Sequence, residues 1–324
     1  MKLARWQHEG RTHDGLVEGG LVYPFIGGHT VASLVGLGLP KALEVGALTL
    51  AAATGAELSL NQIKLLVPIQ PPSIRDFVAF EEHVEGVVKS IDASEGVVPE
   101  WYEYPTFYFT NPNSLIATGD VMSPPVSQKL DFELEVGVVV GAVAGRDGTN
   151  LTPAEGHEAI FGYTIFNDWS ARDIQGREMK VRLGPCKGKD FATTLGPWIV
   201  TADEFVQRHD AEGFLNLLMT VSINGTEVGR DSLANMGWPL GELVAYASRN
   251  SKVLPGDVLG SGTAGAGCLA ELWGRAGELT PAPLKAGDEV VMTVEGIGEI
   301  RNVVGEAVVP PAIPRARVRP RMVR

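Results

Sequence analysis

Positive charge, cysteine and long apolar runs are all scarce in this sequence. Its 27 Lys and Arg residues stand against 39 Asp and Glu residues, for a net charge of −12. Nucleic acids and anionic membranes are bound by clustered cations, so this balance argues against both as partners. A small anionic substrate remains open, provided that a metal ion and a few local cations reverse the field around it.

The two cysteines, Cys186 and Cys268, are too few for a disulfide framework, which favours a reducing compartment. The segment from Met1 to His8 lacks the apolar core of a signal peptide. No apolar run reaches the roughly 18 residues that indicate a transmembrane helix. We therefore expect a cytoplasmic protein without a membrane segment.

The composition is that of an ordinary globular protein, since 44% of the 324 residues are apolar and 20% are charged. Short alternating segments near the start predict a small antiparallel sheet, and the Leu- and Ala-rich stretch from Thr30 to Ala53 predicts one or two helices. Pro71 and Pro72 enforce extended backbone. We therefore predict two domains, at residues 1–70 and 71–324.

The stretch from Leu130 to Gly141 alternates acidic and apolar residues in its first half and is mostly β-branched in its second half. This pattern predicts a strand on which Asp131, Glu133 and Glu135 share one face. Carboxylates beside an apolar run are costly to bury unless a cation neutralises them, and a divalent metal ion is the simplest remedy. An exposed acidic strand face is the alternative.

A second acidic element supports the metal site. The segment from Phe166 to Gln175 contains Asp168 and follows another apolar run, Ala159 to Ile165. Two strand ends that carry carboxylates are able to converge on one ion. Every candidate ligand is an oxygen, with no Cys or His at zinc-like spacing, so the sequence predicts a hard cation such as Mg²⁺ or Ca²⁺.

A helix is predicted to begin at Ser73, which is suited to cap it, because apolar residues recur from Phe77 to Val84 at three- and four-residue spacing. Asp76 and His83 would then lie two turns apart on one helical face. A single histidine in such a place is more often a surface residue than a catalyst, unless a carboxylate elsewhere orients it.

Two segments predict flexible backbone near a ligand. The polar stretch from Lys89 to Pro99 predicts an exposed loop, and with it a lid formed by residues about 77 to 100. The glycine-rich stretch from Leu259 to Gly267 lacks the lysine of a phosphate-binding loop. It predicts backbone that approaches a ligand closely, with Thr263 as the polar contact.

Further polar residues are candidates for the same site. Arg172 and Lys189 bracket the acidic segment and would suit an anionic intermediate, although surface lysines are usually only solvated. Tyr108 stands in an aromatic segment and belongs either to the core or to a pocket. Glu271 lies among apolar residues, so it is either paired or functional.

Four motifs in order resemble those of the fumarylacetoacetate hydrolase family. They are Leu130 to Glu135, Asn167 to Gln175, Gly188 to Phe191 and Ser261 to Thr263. The resemblance covers residues 65–307 and implies an α+β fold, a mixed β-sandwich roll that dimerises. It also implies a small, mainly β domain over residues 1–70.

The separation of Asp76 and His83 resembles that in the fumarylacetoacetase branch, whereas the short acylpyruvase and hydratase branch has an Asn-Tyr-x-x-His version. Val78 and Met179 depart from the family pattern. They stand where fumarylacetoacetate hydrolase has tyrosines that contact substrate. The resemblance therefore implies the same chemistry on a different substrate.

The resemblance also implies a role for each candidate residue. The metal ligands correspond to Asp76, Glu133, Glu135 and Asp168. The histidine that activates water and the carboxylate that orients it correspond to His83 and Glu271. The groups that stabilise the oxyanion correspond to Arg172, Gln175 and Lys189. The substrate-binding residues correspond to Tyr108, Arg172, Gln175 and Thr263.

This resemblance implies a metal-dependent hydrolase that cleaves a C–C bond of a fumarylacetoacetate- or acylpyruvate-like 1,3-dicarbonyl acid in aromatic catabolism. Mg²⁺ is the expected cofactor, with Ca²⁺ or Mn²⁺ as alternatives. The expected partners are a small anionic dicarbonyl substrate and a second copy of the chain. A decarboxylase, tautomerase or hydratase at the same metal site is the alternative, as is a non-catalytic metal binder, but His83 and Glu271 favour hydrolysis.

Overall fold

The computed structural model describes residues 1–92, 96–317 and 319. The strands are β1 Lys2–His8, β2 Arg11–Glu18, β3 Leu21–Pro24, β4 Leu58–Ser59, β5 Lys64–Leu65, β6 Ile74–Phe77, β7 Phe107–Thr110, β8 Leu115–Ile116, β9 Val121–Met122, β10 Leu130–Asp131, β11 Leu134–Val140, β12 Ile160–Asp168, β13 Ser170–Ala171, β14 Thr193–Thr201, β15 Leu218–Ile223, β16 Thr226–Ser232, β17 Val258–Gly260, β18 Glu289–Val294 and β19 Gly298–Val304. The helices are α1 Val31–Leu37, α2 Leu39–Ala51, α3 Glu81–Asp92, α4 Pro153–Glu158, α5 Arg172–Glu178, α6 Leu240–Ser248 and α7 Leu269–Ala276. Short 3-10 helices cover Ile26–Gly28, Leu60–Gln62, Pro99–Tyr102, Met179–Val181, Ala202–Arg208 and Leu233–Asn235. Within the described ranges, no helix combines the length and the apolar character needed to cross a membrane.

Two mixed sheets form the framework. The larger has the strand order β4-β3-β2-β1-β14-β12-β11-β17-β6-β7, with β5 beside β1 and β8 beside β14. The smaller has the order β16-β15-β18-β19-β9. Most neighbours are antiparallel, but β6 runs parallel to β17, β8 to β14 and β9 to β19. The predicted α+β class with a mixed β-sandwich is confirmed.

Strand β11 lies in the middle of the sandwich and is covered on both faces. Val136 and Val138 belong to the core between the sheets, together with Met219 of β15 and Met292 of β18. Val139 points the opposite way, into a second core that α1 and α2 complete. Burial on both faces explains why the strand is a nearly continuous apolar run. Each such side chain contributes about 1.5–3 kcal/mol when it leaves water.

The N-terminal strands extend the larger sheet. Strand β1 pairs with β14 in a register that places Lys2 opposite Val200 and Leu3 opposite Ile199. The predicted antiparallel strands and the two helices between Thr30 and Ala53 are confirmed. Hydrogen bonds of one sheet therefore connect residues 1–70 with the rest of the chain, and the domain boundary at residue 70 stays a prediction.

The helix predicted from Ser73 is wrong over its first half. Strand β6 forms there instead, because β17 and β7 take up its backbone hydrogen bonds on both sides. This pairing overrides the helical spacing of the apolar residues. Helix α3 begins only at Glu81, so Asp76 lies on a strand and His83 in the first helical turn.

Helix α3 also replaces the first part of the loop that was predicted from Lys89, since it continues to Asp92. The 3-10 helix Pro99–Tyr102 replaces the end of that loop. Residues 93 to 95 of the expected lid lie outside the described residues. Closure of this segment over a ligand stays a prediction.

A buried ion pair holds β6 next to the site described below. Arg75 and Asp257 are 6% and 2% exposed, and Arg75 Nη1 donates to Asp257 Oδ2 over 3.1 Å. The second nitrogen, Arg75 Nη2, donates to the carbonyl of Lys252 over 3.0 Å. Loss of one partner would leave the other charge buried and unpaired, which is costly.

The Asp257→Asn variant is expected to lower the free energy of unfolding by about 3 kcal/mol, because Arg75 then lacks its counter-charge. Urea denaturation measures this change. The matched control is Glu44→Gln, which removes an exposed pair with Lys41 and is expected to cost less than about 0.5 kcal/mol. Equal losses in the two variants would show that the buried pair has no special role.

Candidate active site

A cavity of about 290 Å³ lies beside strands β6 and β7, and most of the predicted site residues meet there. Those that line it are Asp76, His83, Tyr108, Glu133, Arg172, Gln175, Lys189 and Thr263. The remaining three are at most 1% exposed and each contacts one of the lining residues; they are Glu135, Asp168 and Glu271. The structure therefore brings all of the predicted site residues together.

Strand pairing brings two carboxylates to the same point. Asp76 lies opposite Gly260 on β17 and opposite Tyr108 on β7. A Cβ atom at Gly260 would lie 2.4 Å from Asp76 Oδ1 and 2.8 Å from Glu135 Oε2. Both separations are too short for real contacts, so glycine is required for the close approach of these two acids.

Two buried cations neutralise part of this acidic cluster. Lys189 Nζ donates to Glu133 Oε2 over 2.5 Å and to Asp168 Oδ2 over 2.7 Å. Arg172 Nη2 lies 2.7 Å from Glu133 Oε1. Burial lowers the pKa of Lys189, but the charges of Asp168 and Glu133 outweigh it and raise that pKa. The amine is therefore charged at neutral pH.

The acids differ in their protonation. Burial, reinforced by the charge of Asp168, raises the pKa of Asp76 well above its usual range. Burial and the charge of Asp76 likewise raise the pKa of Glu135. Burial acts on Glu133 as well, but the nearby cations, first of all Lys189, outweigh it and hold the pKa of Glu133 below its usual range. A cation that binds Asp76 and Glu135 must therefore displace protons, so its affinity falls as the pH falls.

The donor atoms fit a hard divalent cation. Within the described residues, Asp76 Oδ1 and Asp168 Oδ1 are buried and accept no hydrogen bond. Such oxygens are costly unless a cation or a water satisfies them. One oxygen each from Asp76, Glu133 and Asp168 lies within 4.8 Å of the other two. An all-carboxylate set suits Mg²⁺, Mn²⁺ or Ca²⁺.

Glu135, the fourth predicted ligand, lies beside Asp76 but is not one of the three acids whose oxygens lie within 4.8 Å of one another. Its Oε2 atom accepts a hydrogen bond from Gly262 N over 3.0 Å, and Thr263 Oγ1 lies 3.5 Å from its Oε1 atom. Tyr108 donates to Asp168 Oδ2 over 2.5 Å, which fixes another carboxylate. The predicted ligands converge, and their binding of a metal stays a prediction.

His83 lies between the acidic cluster and a separate carboxylate. Its Nε2 atom is 3.9 Å from Glu133 Oε1, and its Nδ1 atom is 3.7 Å from Glu271 Oε2. Hydrogen bonds of catalytic pairs are often long before substrate binds, so this separation is compatible with a His–Glu pair. Cys268 Sγ lies 3.6 Å from the same Nδ1 atom. Ala266 N donates to both oxygens of Glu271 over 2.9 Å, which holds the carboxylate in place.

Asp131 has a role that the strand pattern did not predict. It was expected to share one strand face with Glu133, but the strand is interrupted after Asp131, and β11 begins only at Leu134. Asp131 instead accepts from Leu269 N over 2.7 Å and from Arg172 Nε over 2.8 Å. The prediction of one continuous strand with Asp131, Glu133 and Glu135 on one face is therefore wrong.

The Asp131 carboxylate anchors the first turn of α7, where the helix dipole favours negative charge. Cys268, the N-cap residue of that helix, makes no side-chain capping bond. The cap thus comes from a residue distant in sequence, and no local motif was available to indicate it. In the sequence, this role was indicated only by the acidic character of Asp131 beside Glu133.

Comparisons with known proteins agree with this geometry. Residues 73–305 match the family model described as "Fumarylacetoacetate (FAA) hydrolase C-terminal". The chain is 30% identical over 295 residues to the fumarylacetoacetase of Arabidopsis thaliana, and the match covers 75% of this chain and 70% of that protein. It is 27% identical over 250 residues to the oxaloacetate tautomerase YisK of Bacillus subtilis (strain 168), with 76% and 75% covered.

A solved structure of maleylpyruvate hydrolase from Sphingobium sp. SYK-6, in complex with manganese (II) ion and pyruvate, has the same fold. It superposes with a TM-score of 0.68 over 95% of this chain and 100% of that chain, at 19% identity. The family model covers most of the chain, and the sequence identity to a fumarylacetoacetase extends over most of both proteins. The chain therefore belongs to the fumarylacetoacetate hydrolase family.

Proposed function

We propose that this protein is a metal-dependent hydrolase that cleaves a C–C bond in a 1,3-dicarbonyl acid of the fumarylacetoacetate or acylpyruvate type. The observation that carries the proposal is the position of His83. One ring nitrogen faces the acidic cluster at Glu133, and the other faces the buried carboxylate of Glu271. A base between a cation site and an orienting acid is what water activation needs.

A divalent ion would be held by Asp76, Glu133, Glu135 and Asp168. When bound, it would supply Lewis-acid stabilisation of negative charge that develops on the substrate oxygens. Enzymes of this family use divalent metals, which supports the assignment. Mg²⁺ is our choice, with Mn²⁺ and Ca²⁺ as alternatives that the same oxygen donors suit.

His83 would take a proton from water at Nε2, while Glu271 keeps the other proton of the ring on Nδ1. The hydroxide adds to the substrate carbonyl carbon. The C–C bond then breaks, and its electron pair is delocalised onto the neighbouring carbonyl as an enolate. His83 returns its proton to the carbon that leaves. Water is consumed, and the products are a carboxylic acid and a ketone.

Arg172, Lys189 and Gln175 would stabilise the tetrahedral oxyanion. Arg172 is pre-oriented by Asp131, and its Nη1 atom also donates to Gln175 Oε1 over 3.2 Å. Donors that are already fixed by the fold do not have to reorganise during the reaction. Each of them is expected to lower the barrier by about 3 kcal/mol.

The outer walls of the cavity indicate the class of substrate. They contain Val78, Phe107, Met179 and Pro185, of which Met179 is 46% exposed and so lies on the solvent side. None of these residues carries a charge. The buried floor binds the polar dicarbonyl head, whereas the walls suit an uncharged, apolar tail. Of the two types, we therefore propose an acylpyruvate with an uncharged tail rather than fumarylacetoacetate, which has a second carboxylate.

A tautomerase, decarboxylase or hydratase at the same site is the alternative. The relative named oxaloacetate tautomerase favours it, because such reactions also proceed through an enolate. Loss of CO₂ from a 2-oxo acid needs no activated water. The His83 and Glu271 pair therefore favours hydrolysis, and it also argues against a non-catalytic metal binder. The predicted homodimer remains part of this proposal.

The test of the proposed function is a panel of acylpyruvates with alkyl tails and with carboxylate tails, assayed beside oxaloacetate. Alkyl tails are expected to give a kcat/KM at least about tenfold higher, because a desolvated carboxylate finds no counter-charge on the walls. Met179→Arg supplies a cation and is expected to narrow the difference. Tautomerisation of oxaloacetate without cleavage of any acylpyruvate would favour the alternative.

The metal assignment predicts that Glu135→Gln and Asp168→Asn weaken Mg²⁺ binding by about 100-fold or more, since an amide is an uncharged ligand. Titration calorimetry measures the affinity, and circular dichroism checks the fold. The control is Glu9→Gln, whose side chain is 85% exposed. Mg²⁺ should also raise the Tm of the parent protein, because it binds only the folded state. Parent-like affinity in both variants would mean that the ion binds elsewhere.

The water-activating pair predicts that His83→Ala loses about 100-fold or more of the C–C hydrolysis rate while it keeps its affinity for Mg²⁺. Glu271→Gln should act on the same step, so the double variant should lose little more than His83→Ala alone. Single-turnover kinetics measure the three rates. If both single variants hydrolysed substrate at the parental rate, another group would have to activate water.

A further inference from the structure

A second set of donor atoms lies on the far side of His83 from the carboxylate cluster. It consists of His83 Nδ1, Cys268 Sγ and a carboxylate oxygen of Glu271, which all lie within 4.8 Å of one another. Cys268 and Glu271 are fully buried, and His83 is 7% exposed. The proposed reaction has no use for the thiol of Cys268.

The separations are long for strong hydrogen bonds and also suit the ligands of one metal ion. His83 Nδ1 is 3.7 Å from Glu271 Oε2, beyond the range of an ordinary N–H···O hydrogen bond. The Nδ1 atom is 3.6 Å from Cys268 Sγ. Tetrahedral zinc with usual Zn–N and Zn–S bond lengths places such ligand atoms about 3.5 Å apart.

The donor types separate this site from the carboxylate cluster. Sulfur and imidazole ligands select borderline-soft ions such as Zn²⁺, whereas Mg²⁺ prefers oxygen. The three groups would balance the charge of Zn²⁺. Glu271 supplies one negative charge, and Cys268 supplies the second when the metal replaces the proton of its thiol, while His83 stays neutral. The proton passes to solvent, and a water molecule would complete a fourfold shell.

We propose that His83, Cys268 and Glu271 form an inhibitory binding site for Zn²⁺. Binding at Nδ1 leaves the single ring proton of a neutral imidazole on Nε2. The Nε2 atom then faces Glu133 and the cavity with a proton already in place, so it accepts none from water. Inhibition by this route rests on the proposed function of His83, whereas Zn²⁺ binding itself does not.

Arg275 of α7 lies between the buried Glu271 and Glu82 of α3. Arg275 contacts the buried Glu271 and is 43% exposed, and it also contacts Glu82 on α3, which is 55% exposed. A metal ion that enters from this side displaces Arg275 from Glu271. The bonds from Ala266 N to the Glu271 carboxylate keep that ligand in position while this happens.

The first experiment titrates Zn²⁺ into the full-length protein at saturating Mg²⁺ and follows hydrolysis. The Cys268→Ser variant is expected to keep the basal rate and to need at least about 100-fold more Zn²⁺ for inhibition, because loss of a ligand costs more than loss of an outer partner. Cys268→Ala serves as a second variant. The matched control is Cys186→Ser, which removes the exposed cysteine and should be inhibited like the parent.

The second experiment needs no activity and uses Co²⁺ as a spectroscopic substitute for Zn²⁺. The parent and Cys186→Ser should show a thiolate-to-cobalt absorption band, and Cys268→Ser, Cys268→Ala and His83→Ala should lose it. A band without hydrolysis would refute the proposed function but keep the metal site. Two results would overturn the proposal. One is equal inhibition by Zn²⁺ with and without Cys268, as expected if Zn²⁺ only replaces the ion at the carboxylate cluster. The other is the absence of the absorption band in the parent.

Discussion

The structure depends on an imbalance of buried charge. Asp76, Glu133, Glu135 and Asp168 lie together with at most 4% exposure, and Lys189 and Arg172 are the cations that contact them. Two positive charges do not neutralise four carboxylates. Burial and the neighbouring carboxylates raise the pKa values of Asp76 and Glu135, and the buried oxygens Asp76 Oδ1 and Asp168 Oδ1 accept no hydrogen bond within the described residues. A divalent ion bound there would supply two positive charges and would satisfy those oxygens.

A cluster of this kind needs a rigid frame, because like charges separate if the backbone allows it. The larger sheet provides that frame. Strand β6 is hydrogen-bonded on both sides. The buried ion pair of Arg75, one residue before Asp76, with Asp257 also fixes its position. The absence of a side chain at Gly260 lets Asp76 and Glu135 approach each other. The same sheet packs against strands β15, β18 and β19 on one face and against helices α1 and α2 on the other.

Motifs on long strands were predictable from the sequence, since acidic and apolar residues alternate there with period two. Glu135 follows from that alternation and Asp168 from the apolar run that precedes it, whereas Glu133 lies in the interruption before β11. The helices before Ala53 follow from composition. Local pattern misplaced Asp76, because the helical spacing around it is real but two neighbouring strands compete for its backbone. The interruption of the strand after Asp131 was also not predictable, because a helix N-terminus more than a hundred residues later causes it. Tertiary partners, rather than local propensity, decided both positions.

Asp131 connects the two halves of the site. Its carboxylate accepts from Arg172, which contacts Glu133 in the acidic cluster. The same carboxylate accepts from the first turn of α7, the helix that carries Glu271 behind His83. A change in the charge around Arg172 therefore acts on the anchor of the helix that orients the histidine. If a cation binds in the cluster and His83 acts with Glu271 as proposed, Asp131 is the buried carboxylate through which one would affect the other, so both properties are best measured in the same variants.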